Sequence, residues 1–247
     1  MKPKICYSIG NLKEFTFEEY PFDGYELKSN VDELKPNIVV LLKIKEDFHG
    51  KDLSLHSQLS RIFSCADRGF PEFAKAEMNI LKSEIIISKI LGIRQIIFHM
   101  KETPFTEKEI KEFNKIIKFA EKNKIELLYE NHVCSDDIIL NVLNTFPKVK
   151  FCLDIGHLNV AIHNGKFKMN LDKFLEKVKP KLVNIHAHNN QGERDEHNSI
   201  EDGTFDWKNI LNKLKNTNLN RIVIESRKKE DILKTKELLN NFYKHSE

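Results

Sequence analysis

The feature that most constrains this chain is its rhythm of short apolar runs, each the length of one strand, with longer amphipathic segments between most of them. Eight runs read as strands: Lys4–Ser8, Tyr25–Lys28, Asp52–His56, Gln95–His99, Ile125–Glu130, Lys150–Asp154, Leu182–His186 and Arg221–Glu225. A three-to-four-residue apolar period predicts helices over Pro71–Leu91, Thr106–Asn123, Asp136–Phe146, Leu171–Val178, Trp207–Leu214 and Glu230–Tyr243. Strands that alternate with helices form βαβ units, and these units build parallel sheets. Eight units in 247 residues match one barrel of about 250 residues. The expected fold is therefore a single α/β domain over residues 1–247, a (β/α)8 TIM barrel. The run Ile38–Leu42 falls between the second and third strands; it is read as a helix, because a ninth strand would spoil closure.

Composition narrows the partners. The chain is 40% hydrophobic and 31% charged, a balance that fits a packed globular protein. No apolar stretch reaches the roughly 18–20 residues that span a bilayer, so no membrane partner is expected. The opening MKPKICYSIG turns polar too early for a secretory signal, which points to the cytoplasm. Cys6, Cys65, Cys134 and Cys152 form no CxxC pair, and Cys6 and Cys152 lie in strand-like runs as core thiols. Forty basic residues against 37 acidic leave a net charge of +3, which does not demand nucleic acid. The sequence leaves the oligomeric state open.

The chemistry sits at the strand ends. Six consecutive strands finish an apolar stretch on a potential metal donor: His56, His99, Glu130, Asp154, His186 and Glu225. In a parallel barrel these termini converge on the C-terminal rim, where barrel active sites lie. His157 follows Asp154 by three residues, and Asp195 and His197 lie in the loop after the seventh strand. A lone His or Asp at a strand end is usually a rim hydrogen-bonding residue or a helix cap, but six in register are not explained that way. So many ionisable groups at one mouth need a cation to satisfy them. Mixed nitrogen and oxygen donors suit zinc, manganese, iron or cobalt better than magnesium or calcium.

These residues resemble the xylose-isomerase-like barrel superfamily, which holds sugar phosphate isomerases and epimerases and the endonuclease IV-like AP endonucleases of family 2. The resemblance is carried by Tyr129-Glu130-Asn131, Leu153-Asp154-Ile-Gly-His157, Ile185-His186-Ala-His188-Asn189 and the run from Arg194 to Trp207. It implies a shared four-ligand site of Glu130, Asp154, His186 and Glu225. It also implies additional ligands His56, His99, His157, Asp195 and His197, as in the three-zinc nuclease site. The cofactor is then one to three divalent ions, manganese or zinc foremost. Asn189, where the family often has Asp, and Glu201-Asp202-Gly203, where it usually has Gly-x-Gly, depart from the pattern.

Two reactions fit the resemblance. In the first, an isomerase or epimerase of a small sugar or sugar phosphate, Glu130 and Glu225 serve as bases through an enediolate. His157 and His188 bind hydroxyls, Asn131 and Lys101 line the substrate, and Arg194 and Arg227 hold a phosphate. Balanced charge and the Asp-Ile-Gly-His motif favour it. In the second, a multi-zinc phosphodiesterase cuts DNA at abasic sites. The complete ligand set favours this, as does the loop Arg61–Phe70, which carries two of the six arginines and two aromatics. The first is the leading expectation from sequence. Arg94 and Arg221, which begin strands, are expected on the opposite face.

Overall fold

A computed structural model describes residues 2–10, 12, 15–29, 38–59 and 75–244. Its eight strands are β1 (Lys4–Ile9), β2 (Gly24–Lys28), β3 (Asp52–His56), β4 (Gln95–Phe98), β5 (Glu126–Glu130), β6 (Lys150–Asp154), β7 (Leu182–Ala187) and β8 (Arg221–Ile224). Each pairs in parallel with the next, and β8 returns to β1 through Lys4↔Arg221 and Cys6↔Val223, closing the barrel. The described helices are α1 (Ile38–Asp47), α2 (Lys75–Leu91), α3 (Glu107–Lys122), α4 (Asp136–Thr145), α5 (Ile155–His163), α6 (Leu171–Val178), α7 (Trp207–Lys213) and α8 (Lys229–Lys244). The protein is a single (β/α)8 TIM barrel. Among the described residues, no helix is long and apolar enough to cross a membrane.

The apolar run at Ile38 is helical, and its packing explains why its pattern is hard to read. Leu41, Ile44 and Phe48 are buried at three- and four-residue spacing, while Val39 remains 70% exposed. An apolar stripe is hidden when the exposed face is apolar too. Helix α5, unread in the sequence, begins directly at the end of β6. The Asp154 side chain accepts a hydrogen bond from the His157 amide at 2.7 Å, so the strand's last residue is also the helix N-cap. The loop Arg61–Phe70, Cys65 and the first residues of the Pro71–Leu91 segment lie outside the described residues.

The strands present two faces. Tyr25, Leu27, Leu55, Ile96, Phe98, Phe151 and Ile222 join the large core between barrel and helices. The register pairs His56 with Ile97, Ile97 with Leu128, and Cys152 with Glu130. Register partners share a face, so a second apolar cluster of Ile97, Leu128, Cys152 and Val183 lies inside the barrel beneath the candidate donor residues. Cys6 and Cys152 are fully buried free thiols, and burial pushes the Cys6 thiol up to about 12.

Candidate metal centre

Barrel closure brings the predicted donors together at the C-terminal rim. Glu130, ending β5, is the hub. Its Oε2 lies 3.0 Å from His56 Nε2 and 3.1 Å from His99 Nε2. Its Oε1 lies 3.1 Å from His186 Nδ1 and 3.7 Å from His157 Nδ1. His186 Nδ1 also faces Glu225 Oε2 at 3.6 Å and Asp154 Oδ2 at 3.9 Å. Helix α2 steadies the first of these strands from outside: buried Glu84 accepts from Ser57 Oγ at 2.6 Å and from the Gln58 amide at 2.8 Å, just past His56.

The loop after β7 supplies a third group. Asp195 Oδ2 lies 2.7 Å from His197 Nε2 and 3.5 Å from His157 Nε2. His197 adopts φ 55°, a left-handed backbone rare outside glycine. In that conformation its Nδ1 donates to the Glu225 carbonyl at 2.9 Å, so its Nε2 is left to face Asp195. His157 is oriented the same way, Nδ1 donating to the Asn131 carbonyl at 3.0 Å.

Charge accounts for the protonation pattern. Burial alone would push the Glu130 carboxyl up, but the His186, His99 and His56 rings hold it well below the usual carboxylate range. Asp195 is likewise held down by His157 and His197 against its burial. At His157 burial opposes the charge, yet Asp154 and Asp195 raise the ring to about 10. His99 goes the other way, its pKa lowered chiefly by burial.

A cation fits this arrangement. Among the described residues, buried atoms with no hydrogen-bond partner gather here: both nitrogens of His99 and of His186, Nδ1 of His188, Oδ1 of Asp195, and Oε1 of Glu26 and Glu225. Buried polar atoms are ordinarily satisfied, and a metal ion would satisfy these. Among the described residues there are four sets within each of which the donor atoms lie within 4.8 Å of one another: Glu130, Asp154, His186 and Glu225; His56, His99 and Glu130; His188, Asp195 and His197; and Glu26, His56, His186 and Glu225.

Two placements differ from the sequence reading. His188, expected at substrate hydroxyls, stands in the third donor set. It bonds Asp154 Oδ2 at 3.1 Å through Nε2 and stacks on His197 with ring centroids 4.1 Å apart. His157, expected in that set, reaches Asp195 from the neighbouring side.

The expected substrate residues fare unevenly. The Asn131 amide is taken up by the Asp154 backbone, donating at 3.0 Å and accepting at 2.8 Å. Buried Lys101 pairs with Glu109 at 2.6 Å. Arg194 is 82% exposed and near Glu196 at 3.3 Å, and Arg227 is exposed. Arg94 and Arg221 line a hollow at the opposite end with Lys4, Asp52, Gln95, Glu126 and Asn220.

Three residues at the site went unread. Glu26 is fully buried 3.4 Å from His186 Nε2. Lys28, 38% exposed, stands 3.4 Å from Glu225 Oε1. The His132 ring lies 5.0 Å from that of His157. The signal for the first two was the alternation Gly24-Tyr-Glu26-Leu-Lys28, whose polar residues fall on the barrel's inner face.

Residues 17–244 match the family model described as the xylose isomerase-like TIM barrel. Among curated proteins, 90 residues are 33% identical to the uncharacterised protein MJ1311 of Methanocaldococcus jannaschii, and 119 residues are 28% identical to MJ1614 of the same organism. These stretches cover 36% and 46% of this chain but only 29% and 44% of those proteins. Solved structures cover nearly the whole chain. A D-tagatose 3-epimerase-like protein superposes with TM-score 0.79 at 21% identity, covering 98% of this chain and 97% of its own. The IolI protein with a bound zinc atom gives 0.71 at 16%, covering 97% of each. Endonuclease IV of Thermus thermophilus gives 0.64 at 13%, covering 98% and 100%. Identities this low speak to the fold alone. The family model spans most of the chain, and with it the rim that carries the donors: the chain belongs to the xylose isomerase-like TIM barrel family.

Proposed function

We propose that the protein is a divalent-metal-dependent phosphoester hydrolase with more than one ion at its barrel mouth. The observation that carries this reading is the Asp195–His197 group standing beside donor sets that already share Glu130, His186 and Glu225. One ion takes about four to six donors. A single-ion centre would leave His56, His99, Asp195 and His197 without a task. Two or three adjacent ions would supply an activated water and neutralise charge on a displaced phosphate oxygen. Around them, His157 and His197 keep their outward nitrogens aimed at Asp195, and Lys28 offers a cation to an incoming anion. Lys28 also bears on the competing scheme. Burial pushes the Glu225 carboxyl up, but Lys28 and the rings of His186, His56 and His197 hold it well below the usual range. That makes it a poor base for drawing a proton from carbon.

The second reading, an isomerase or epimerase of a small sugar or sugar phosphate, is favoured by the compact set Glu130, Asp154, His186 and Glu225. There Glu130 and Glu225 would flank a single manganese or zinc ion and its substrate. Metal content by mass spectrometry, beside assays on bis(4-nitrophenyl) phosphate, an abasic duplex and a panel of ketohexoses, separates the two. The expected result is about two or three ions per chain and phosphoester cleavage that chelation abolishes. One ion, with ketose interconversion and no cleavage, would replace the first reading by the second. Incision of the abasic duplex alone would place the substrate in DNA.

Metal binding is expected to release protons. His188 stands in the third donor set; burial lowers its pKa but Asp154 raises it further, and the ring must lose its proton to serve as a ligand. Apparent zinc affinity therefore rises with pH between roughly 6 and 9, by up to about tenfold per unit for each proton displaced. Titration calorimetry in buffers of different ionisation enthalpy measures this, and a flat profile would contradict it. In the metal-free protein the raised pKa of His157 stabilises the fold fully below the ring's ordinary value of 6.5 and loses its effect as pH climbs toward about 10.

A further inference from the structure

We infer that Glu26 positions His186 for metal binding, held in place by a polar chain that enters from the opposite end of the barrel. The chain begins at Arg221, the buried first residue of β8. One of its terminal nitrogens pairs with Asp52 Oδ1 at 2.7 Å, and the other donates to Ser54 Oγ at 2.9 Å. Ser54 Oγ donates in turn to Glu26 Oε2 at 3.0 Å. All three members, Arg221, Ser54 and Glu26, are buried. The other carboxylate oxygen, Oε1, lies 3.4 Å from His186 Nε2, neither atom has a hydrogen-bond partner, and the Cys152 thiol also adjoins the ring.

Two complementary orphaned atoms thus face each other in a fully buried pocket, and ring chemistry says what joins them. His186 turns Nδ1 toward Glu130, Glu225 and Asp154. A nitrogen that ligates a cation carries no proton, so a His186 bound through Nδ1 holds its proton on Nε2 and needs an acceptor there. Glu26 Oε1 is that acceptor. With Oε2 fixed by Ser54, the carboxylate cannot swing away, and the ring is locked in both tautomer and tilt. Glu26 is a positioning residue: it acts through His186, not on the ion.

This inference rests on the metal centre proposed above and not on the reaction assigned to it. Cobalt(II) is the probe, because its visible absorption bands report the ligand field. Glu26→Ala is expected to bind cobalt and zinc about 10- to 100-fold more weakly in chelator competition. It should keep the same number of ions per chain and show shifted cobalt bands. Glu26→Gln, isosteric and still offering an acceptor oxygen, is expected to fall between Glu26→Ala and the unmutated protein. It carries the test alone if the alanine variant does not fold.

Unchanged affinity and unchanged bands in a folded Glu26→Gln and Glu26→Ala would reduce Glu26 to a structural counter-ion and overturn the inference. Loss of a whole ion equivalent would overturn it differently, by making Glu26 a ligand. Failure of the unmutated protein to bind cobalt would remove the metal centre and this inference with it. Failure of the phosphoester assay alone would leave Glu26 untouched.

Discussion

Glu130→Ala is expected to strip the barrel mouth of metal and lower activity by about three orders of magnitude or more. The reason is position. Among the described residues, Glu130 alone belongs both to the set built on His56 and His99 and to the set built on Asp154, His186 and Glu225, so its loss weakens two sites at once. Charge stabilisation by a bound ion is worth several kcal/mol, and each 1.36 kcal/mol is about tenfold in rate. Mass spectrometry of the purified variant and a rate assay with saturating zinc measure the two effects. Full metal content at an ordinary rate would contradict the central role of this carboxylate.

Stability of the metal-free variant carries a pH signature. Removing one partner of a buried ion pair costs about 3–5 kcal/mol when the other remains charged. At His56, burial lowers the pKa and Glu130 is the main group that raises it. A raised folded pKa adds stability below the unfolded value near 6.5 and loses it as pH rises. The variant should therefore melt well below the unmutated protein at about pH 6, with the gap narrowing as pH rises past the ordinary imidazole value of about 6.5 and the His56 ring of the unmutated protein sheds its proton. Melts in chelator on either side of that value read this directly. A gap independent of pH would mean that the imidazoles are neutral throughout.

How much of this was legible in the sequence depended on whether a residue advertised its face. The eight strands could be read because each was a short apolar or alternating run between polar segments, and observed ends fall within a residue or so of expectation: β3 and β6 match, while β7 gains Ala187. The rim donors could be read because each closed an apolar stretch. Helix α5 escaped because Asp154 is both the end of a strand and the cap of a helix, leaving no turn between them to mark the change. Glu26 and Ser54 escaped because they lie in mid-strand, where a polar residue signals either a solvated face or a barrel interior, and only closure decides which. Lys101 and Asn131 looked like substrate residues because they adjoin donors. Their partners, Glu109 on α3 and the Asp154 backbone, are brought close only by the fold.

Gly156→Ala is expected to destabilise the protein and disrupt the third donor set, against the ordinary preference of a helix. In an exposed helix interior, alanine is better than glycine by about 1 kcal/mol. Here a Cβ on Gly156 would sit 2.0 Å from His188 Cε1 and 2.3 Å from its Nδ1, well inside contact distance. The helix cannot retreat easily, because the Asp154 cap holds its first turn and Asn190 donates to the Gly156 carbonyl at 2.9 Å. The ring must move, breaking its 3.1 Å bond to Asp154. Overpacking of this kind costs about 1–3 kcal/mol, and the lost bond to a charged group about 1.5–3 more. The clash outweighs the propensity. A net loss of roughly 3 kcal/mol lowers the melting temperature by about 6–12 °C in a chain of this size. Gly10→Ala, where the added methyl meets nothing within 4 Å, is the control and should barely move it. His188→Ala placed in the Gly156→Ala background should recover much of the stability without recovering the third donor set, since the conflict is between that methyl and that ring. Strictly additive losses in the double variant would show that the two groups do not meet.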